Sequence, residues 1–372
     1  MAFLHTKETR LRRLTVRDVF VHPSGQDDNL GDSALRAASL GALQGAGVRL
    51  HVFLEEQSSD YVSGLPLSAR DALYSNRPSW LRASEGVEKP IYVVNAGEIN
   101  PRGGRAYPNA KRVREMSGIV KGGGVILATG LGLKNPAQAA SVSFSPLLRE
   151  AAVMSWRDSV SRDAAGFGEV APDWAFALGS SPSRWRPYGE RRLIAVTLRF
   201  DRPWPGADWI DAVKYFAYQR VAEVVTVAQV SRDAPRAVQL ARALGGRYLV
   251  APSTRHTDLE SHVRSVYARA LAVISDRAHA LIMGATEGAY PLGTASDPQK
   301  IKRLLDAAGI GALTGEHATL AERAAYLGRE RPILDDRVEA SRRELRALTE
   351  RIRDVVMGRT TSRLENLAVS VP

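Results

Sequence analysis

The residues best suited to chemistry in this chain are Arg277 and His279. They follow an apolar run, Leu271–Ile274, that breaks off into Ser275 and Asp276, and a helical pattern starts near Ala278. The pair therefore stands at the carboxyl end of a strand read as parallel, which is where open α/β sheets place their ligand chemistry. Arg277 offers a permanent planar fork for a carboxylate or phosphate. His279 offers a proton near neutral pH. An anion clamp beside an acid–base group suits an enzyme acting on an anionic substrate. A lone histidine at a helix start is often only a cap or a packing residue. Context weighs against that here, because the chain has only 7 histidines and this one neighbours an arginine at a strand end.

Other groups fall at comparable places. Asn29-Leu30-Gly31-Asp32 follows a first strand and opens a helix. Gly31 permits a tight turn, Asp32 is a natural cap, and the free N–H groups of the helix start can hold an anion. A simple capped turn explains the same residues equally well. Gly122-Gly123-Gly124 leads into the run Val125–Thr129, the wrong side of a strand for a dinucleotide fingerprint, and no Gly-Lys-Ser/Thr follows. Trp156-Arg157-Asp158-Ser159 marks another strand-to-helix junction, where Asp158 or Ser159 can cap. Arg199 ends a later strand as Arg277 follows another, so the two can share one anion; a surface ion pair is the plainer alternative for either. Asp297-Pro298-Gln299-Lys300 opens a helix, and Lys300 can reach a phosphate or remain a solvated lysine. No zincin, calcium-loop or nucleophile-elbow pattern occurs, so neither a metal nor an acyl-enzyme is expected.

These groups need a scaffold that brings strand ends together. Short apolar runs alternate with amphipathic stretches along the chain. Strands are expected at Val19–His22, Leu50–Leu54, Ile91–Asn95, Val125–Thr129, Ala152–Trp156, Leu193–Thr197, Val224–Val227, Tyr248–Val250 and Leu271–Ile274. Helices are expected at Ser33–Gln44, Ala110–Val120, Trp209–Val221, Ala234–Leu244, Leu259–Ala270, Lys300–Ala308 and Asp336–Val356. Alternation of this kind gives doubly wound parallel sheets. Ser180–Glu190, with two prolines and a glycine, reads as the break between halves. The expected organisation is a basic arm over 1–17, an α/β domain over 18–180, a second over 190–330, a closing helix over 336–357 and a tail over 358–372. Two such domains facing each other leave a cleft, a common ligand site.

Composition narrows the chemistry. At 372 residues the chain is long for one core, so two domains are the default. A net charge of +11 favours acidic partners. The arginines are scattered and no nucleic-acid motif is present, which argues against nucleic acid. There are no cysteines, so thiolate chemistry, disulfides and cysteine-bound metal are excluded. No run of about eighteen apolar residues is available to span a membrane, and the arm lacks the apolar core of a signal peptide. A cytoplasmic location is expected. The arm reads first as a disordered leader, with contact to the inner face of an anionic membrane as the alternative.

Taken together and in order, Asn29-Leu30-Gly31-Asp32, Gly122-Gly123-Gly124, Arg157-Asp158-Ser159, Pro172-Asp173, Arg199, Gln229 with Asp233, Arg277-Ala278-His279 and Asp297 with Lys300 resemble the polysaccharide pyruvyl transferase family. That family usually has Arg-Leu-His where this chain has Arg277-Ala278-His279. The resemblance implies two Rossmann-like domains in a glycosyltransferase-B-like arrangement, the first on the acceptor side and the second on the donor side. It implies transfer of a pyruvyl group from phosphoenolpyruvate onto two hydroxyls of a sugar in a polysaccharide, glycolipid or lipid-linked precursor, giving a cyclic ketal and phosphate. Phosphoenolpyruvate is then donor substrate and no cofactor is needed. His279 is expected as general acid, with Asp276 the nearest carboxylate in sequence to hold it cationic or else a helix cap. Arg199, Arg277 and Lys300 are expected on the donor. Asn29, Gly31, Asp32, Gly123, Gly124, Arg157 and Asp158 are expected at the cleft, binding acceptor or shaping the site. A glycosyltransferase using a nucleotide-sugar, and a non-catalytic anion-binding module, are the competing readings.

Overall fold

The computed structural model describes residues 16–101, 104–327 and 331–359, so nearly all of the basic arm and of the tail lie outside it. The strands, in chain order, are β1 Arg17–Val21, β2 Val48–Phe53, β3 Ala72–Tyr74, β4 Ile91–Val93, β5 Gly97–Ile99, β6 Ala106–Tyr107, β7 Val125–Leu133, β8 Ser143–Phe144, β9 Val153–Trp156, β10 Glu169–Val170, β11 Leu193–Thr197, β12 Glu223–Thr226, β13 Arg247–Tyr248, β14 Ala270–Ser275, β15 Tyr290–Thr294 and β16 Thr314–Gly315. One sheet runs β10-β9-β7-β4-β1-β2-β3, with β5 on the far half of β7. The other runs β13-β12-β11-β14-β15-β16, and β6 pairs with β8 apart from both. The pairings within both sheets are parallel. Central strands are buried on both faces and read as unbroken apolar runs, as in β14, all six of whose residues are buried.

Each sheet reverses its strand order once. In the first the reversal lies between β1 and β4, and in the second between β11 and β14. A crevice opens at such a point outside the carboxyl ends. Each crevice is lined by the segment that follows its strands, and in the first sheet a helix, Leu30–Gln44, starts close behind. Asn29 caps that helix by accepting the Gly31 N–H at 3.0 Å.

Several departures from the sequence reading have local causes. Gly130 and Gly132 look like the end of a strand at Thr129, yet β7 continues to Leu133 through a register shift between Ala128 and Leu131. Gly130 takes φ +71°, and a side chain there would strike Trp174. β15 carries Pro291 and Gly293, which argue against a strand, but it lies between β14 and β16. Ser180–Glu190 lacks regular strands or long helices yet is packed: Trp185 is buried and donates its indole N–H to the Ser180 carbonyl at 3.0 Å. The last helix, Arg331–Val356, begins earlier than expected and returns to the first sheet's side. Its Leu334, Val338, Leu345, Leu348 and Ile352 are buried at helical spacing. Arg342 ties it down by donating to the carbonyls of Phe176, Leu178 and Ser180.

Candidate functional site

The carboxyl ends of the two sheets meet across a cleft. On the second domain, Ser275 closes β14 by donating to the Thr197 carbonyl at 2.7 Å and accepting the Arg277 N–H at 2.9 Å. This stitch holds the ends of β11 and β14 together. Asp276 then accepts the Arg199 backbone N–H at 2.9 Å. Burial pushes the Asp276 carboxyl up to about 6, against the pull of that N–H and of the Arg277 and Arg199 charges. The Arg277 guanidinium is turned onto buried Asp233, and Arg199 makes a two-pronged pair with Asp201 at 2.8 and 2.6 Å. Both expected clamp arginines are thus at the cleft end of the sheet, each with its own carboxylate.

His279 lies in the first turn of the helix Ala278–Ala285. Its carboxylate neighbour is not Asp276, which is committed to Arg199. The neighbour is Asp173 of the first domain, whose Oδ2 lies 3.6 Å from His279 Nε2. Asp173 is fully buried, and the same oxygen accepts from Arg157 Nη1 at 3.2 Å while Oδ1 accepts the Ala175 N–H at 3.0 Å. Burial alone would raise the Asp173 carboxyl; the nearby His279 imidazole, the Arg157 charge and the Ala175 N–H outweigh it and hold the group well below the usual carboxylate range. One buried carboxylate therefore joins a histidine from one domain to an arginine from the other.

Arg157 follows β9 and is almost wholly buried. Among the described residues its Nε has no hydrogen-bond partner. Gly132, in the extended half of β7, lies directly beneath: a Cβ there would sit 2.5 Å from Arg157 Nε. Gly31 plays a similar part under the histidine, since its Cβ would come 2.5 Å from His279 Nδ1 and 2.6 Å from His279 Cβ. The close approach of a helix start to His279 explains a glycine at that position. The cap geometry adds backbone contact between domains, for Leu30 N–H donates to the Gln229 carbonyl at 3.0 Å. Asp32 pairs with Arg36 at 2.9 Å and accepts the Gln26 N–H at 2.8 Å. Burial opposes its ionisation, but Arg36, that N–H and His279 bring the carboxyl below its ordinary value.

Lys300 reaches across from the second domain to an ion pair with Glu98 on β5. Partial desolvation, opposed by Glu98 and joined by Arg157 and Arg199, holds the Lys300 ammonium below the ordinary lysine value. Arg157, Arg199 and Lys300 therefore lie within electrostatic range of one another. Asp158 caps the helix Ser159–Ala165, accepting Ser161 N–H and Oγ–H at 2.7 Å each, with Arg303 of the second domain 3.5 Å away. Its oxygens are occupied by structure.

One sequence expectation is corrected. Gly123 and Gly124 precede β7 and so lie at the amino end of the first sheet, away from the cleft. Gly123 takes φ +71°, and a side chain at Gly124 would strike the Pro90 carbonyl, so the glycines serve a tight turn into a buried strand. His256 begins the helix His256–Tyr267, is buried, and lies 2.6 Å from Ser33 Oγ across the interface. Sequence reasoning missed Asp173 and Glu98 as site residues. Asp173 stood in the recognised Pro172-Asp173 pair without a role. Glu98 lies on a three-residue strand, too short for any alternation to show.

A cavity of about 470 Å³ opens beside Glu98 at the reversal point of the first sheet. Its wall includes Ser24 beyond β1, Asn95 and Ala96 beyond β4, and three arginines, Arg36, Arg105 and Arg112. Among the described residues no group of three His, Asp or Glu side chains is placed to hold a metal ion, and no helix is long and apolar enough to cross a membrane.

Solved structures resemble this fold over most of their length. A UDP-N-acetylglucosamine 2-epimerase described as putative, from Listeria monocytogenes, shares 11% identity over 93% of this chain and 98% of its own, with a TM-score of 0.51. Anabaena HepE in complex with UDP and glucose shares 10% identity over 92% of this chain and 100% of its own, with a TM-score of 0.53. The S. aureus MnaA–UDP structure shares 12% identity over 96% and 99%, with a TM-score of 0.53. Likeness at these identities is likeness of fold, two Rossmann-like domains in the glycosyltransferase-B-like arrangement. No curated protein matches the sequence. The family model for polysaccharide pyruvyl transferase matches residues 29–298, from the Asn29 cap past Asp173, Arg277 and His279. The chain belongs to the polysaccharide pyruvyl transferase family.

Proposed function

We propose that the protein transfers the pyruvyl group of phosphoenolpyruvate onto two hydroxyls of a sugar, forming a cyclic ketal. The observation that carries this reading is the Arg157–Asp173–His279 junction, which sets a buried cation and an acid–base group side by side where both sheets end. The donor has a carboxylate and a phosphate, so it needs at least two cationic partners. Arg157, with an unpartnered Nε, and Lys300, at the rim, are the first candidates, and Arg199 and Arg277 supply positive potential from the second domain. Arg157, placed on the acceptor side by sequence order, joins the donor group on this reading.

The chemistry proceeds in balanced steps. His279 gives a proton to the methylene carbon of the enol, and the C=C electron pair forms the new C–H bond. The oxocarbenium-like centre left at C2 is attacked by one sugar hydroxyl, which loses its proton. The C2–O bond to phosphate then breaks, with the cations stabilising the charge that develops on the leaving group. The second hydroxyl closes the ring and loses its proton. One of the two hydroxyl protons restores His279 and the other leaves on phosphate. Asp173 provides the neighbouring carboxylate that a cationic imidazole needs.

The test is incubation with phosphoenolpyruvate and a panel of sugar acceptors, scored by phosphate release and by product mass. His279→Gln should lower turnover by about two to four orders of magnitude, the usual worth of a placed acid, while calorimetry still detects the donor. A variant retaining more than a tenth of wild-type turnover removes His279 as the proton source. The fold equally suits a nucleotide-sugar donor. If UDP-sugars raise the melting temperature and phosphoenolpyruvate does not, that reading replaces this one.

A further inference from the structure

We propose that the cavity at the reversal point of the first sheet takes the acceptor glycan, and that it selects a glycan carrying negative charge close to the sugar that is modified. This rests on the pyruvyl-transfer reading for the reaction but on separate residues for the binding.

Position is the first argument. Open α/β sheets bind ligands outside the carboxyl ends of the strands where strand order reverses. The second sheet has its reversal at Arg199 and Asp276, on the side assigned to the donor. The first sheet has its own between β1 and β4, and the cavity lies there, walled by Ser24, Asn95 and Ala96. Its volume of about 470 Å³ lies within the usual range for small-molecule sites. Glu98 lines the cavity and pairs with Lys300, so the cavity borders that cation. A bound sugar would meet the donor there.

Charge is the second argument. The cleft cations Arg36, Arg157, Arg199, Arg277, Lys300 and Arg303 each face a carboxylate. Arg105 and Arg112 line the cavity, and among the described residues neither guanidinium has an ion-pair or hydrogen-bond partner. Among the described residues of the wall the one carboxylate is Glu98, already engaged by Lys300. Asn100, Asn109 and Tyr107 complete a lining of amides and a phenol that suits sugar hydroxyls. Two uncommitted guanidinium groups on one concave wall fit a phosphate or a carboxylate. A diphosphate ester at the reducing end of the glycan, or a uronate within it, supplies the same charge.

The experiment compares three probes in calorimetry without donor: a neutral disaccharide, the same disaccharide as a diphosphate ester, and a glucuronate-containing disaccharide. The wild type should bind at least one charged probe tenfold or more tightly than the neutral one, and which one it prefers identifies the source of charge. The double variant Arg105→Gln, Arg112→Gln should lose that preference, with donor binding and melting temperature unchanged. Equal binding of neutral and charged probes by the wild type overturns the proposal, as does a double variant that keeps the preference. The two readings separate cleanly: charge-selective glycan binding without phosphate release refutes the pyruvyl-transfer reading alone, and phosphate release with neutral acceptors at undiminished KM refutes this one alone.

Discussion

Asp276 offers a test in which stability and donor binding must move together. Its carboxyl is raised from an ordinary 3.8 to about 6, chiefly by burial, although it faces Arg199 and Arg277. The folded protein therefore holds this proton more tightly than the unfolded chain does. As pH rises from about 4 to about 6, the unfolded carboxyl ionises freely while the folded one resists, and stability falls through that window. The shift of roughly two units corresponds to a ceiling of about 3 kcal/mol at neutral pH. Partial solvent access lowers the expected value to about 1–2 kcal/mol. Asp276→Asn removes the charge yet keeps an oxygen to accept the Arg199 N–H. The variant should melt roughly 3–6 °C above wild type at pH 7.5, with the gain vanishing near pH 4. It also takes a negative charge away from the two arginines, so phosphoenolpyruvate should bind more tightly. Scanning fluorimetry from pH 4 to 8, with and without the donor, reads both effects. A variant no more stable than wild type at pH 7.5, or a gain that persists unchanged at pH 4, refutes the reasoning.

Two further substitutions probe the junction between domains. Asp173→Asn leaves buried Arg157 only the more distant Glu98 carboxylate, 4.0 Å from Nη2, and should cost about 3 kcal/mol in chemical denaturation. Because its partners hold the Asp173 carboxyl low, the wild type's advantage is present above about pH 4 and lost as pH falls below that; a difference independent of pH refutes the ion-pair origin. Gly31→Ala places a methyl group against the His279 ring. Turnover should fall at least tenfold with the fold intact by circular dichroism, and unchanged kcat shows that the helix start and His279 need not touch during the reaction.

Much of the scaffold was legible in the sequence because parallel strands buried on both faces are apolar runs. Leu193–Thr197 and Ala234–Leu244 have the bounds their residues suggest. The two-residue strands β10 and β16 were invisible because no periodicity fits in that length. Glycine misled twice in opposite directions. At Gly130 and Gly132 it suggested an end where the strand continues, since the room it leaves is filled by Trp174 and Arg157. At Gly123 and Gly124 the motif was recognised, but order along a chain does not say which end of a sheet a turn occupies. The site was legible only as a set of candidates. The partner of His279 lies more than a hundred positions away on the other domain, and proximity in sequence pointed to Asp276 instead.

The pairing of cations already present decides how a donor can enter. On the proposed reaction an incoming donor, with its carboxylate and phosphate, competes with the carboxylates that hold Arg157, Arg199, Arg277 and Lys300. These are not equivalent. Breaking the buried Arg157–Asp173 or Arg277–Asp233 pair would strand a charge at about 3–5 kcal/mol, so both pairs persist and act on the donor through their remaining N–H groups and net field. The rim pairs Lys300–Glu98 and Arg199–Asp201 are more exposed, and such pairs are worth about 0–1 kcal/mol. They are the ones that can exchange a protein carboxylate for the donor's anions. On the proposed reaction, release of Glu98 by Lys300 frees a carboxylate at the mouth of the acceptor cavity at the moment the donor arrives. An acceptor that binds before the donor meets Glu98 already engaged by Lys300, so charge-selective glycan binding does not require the donor.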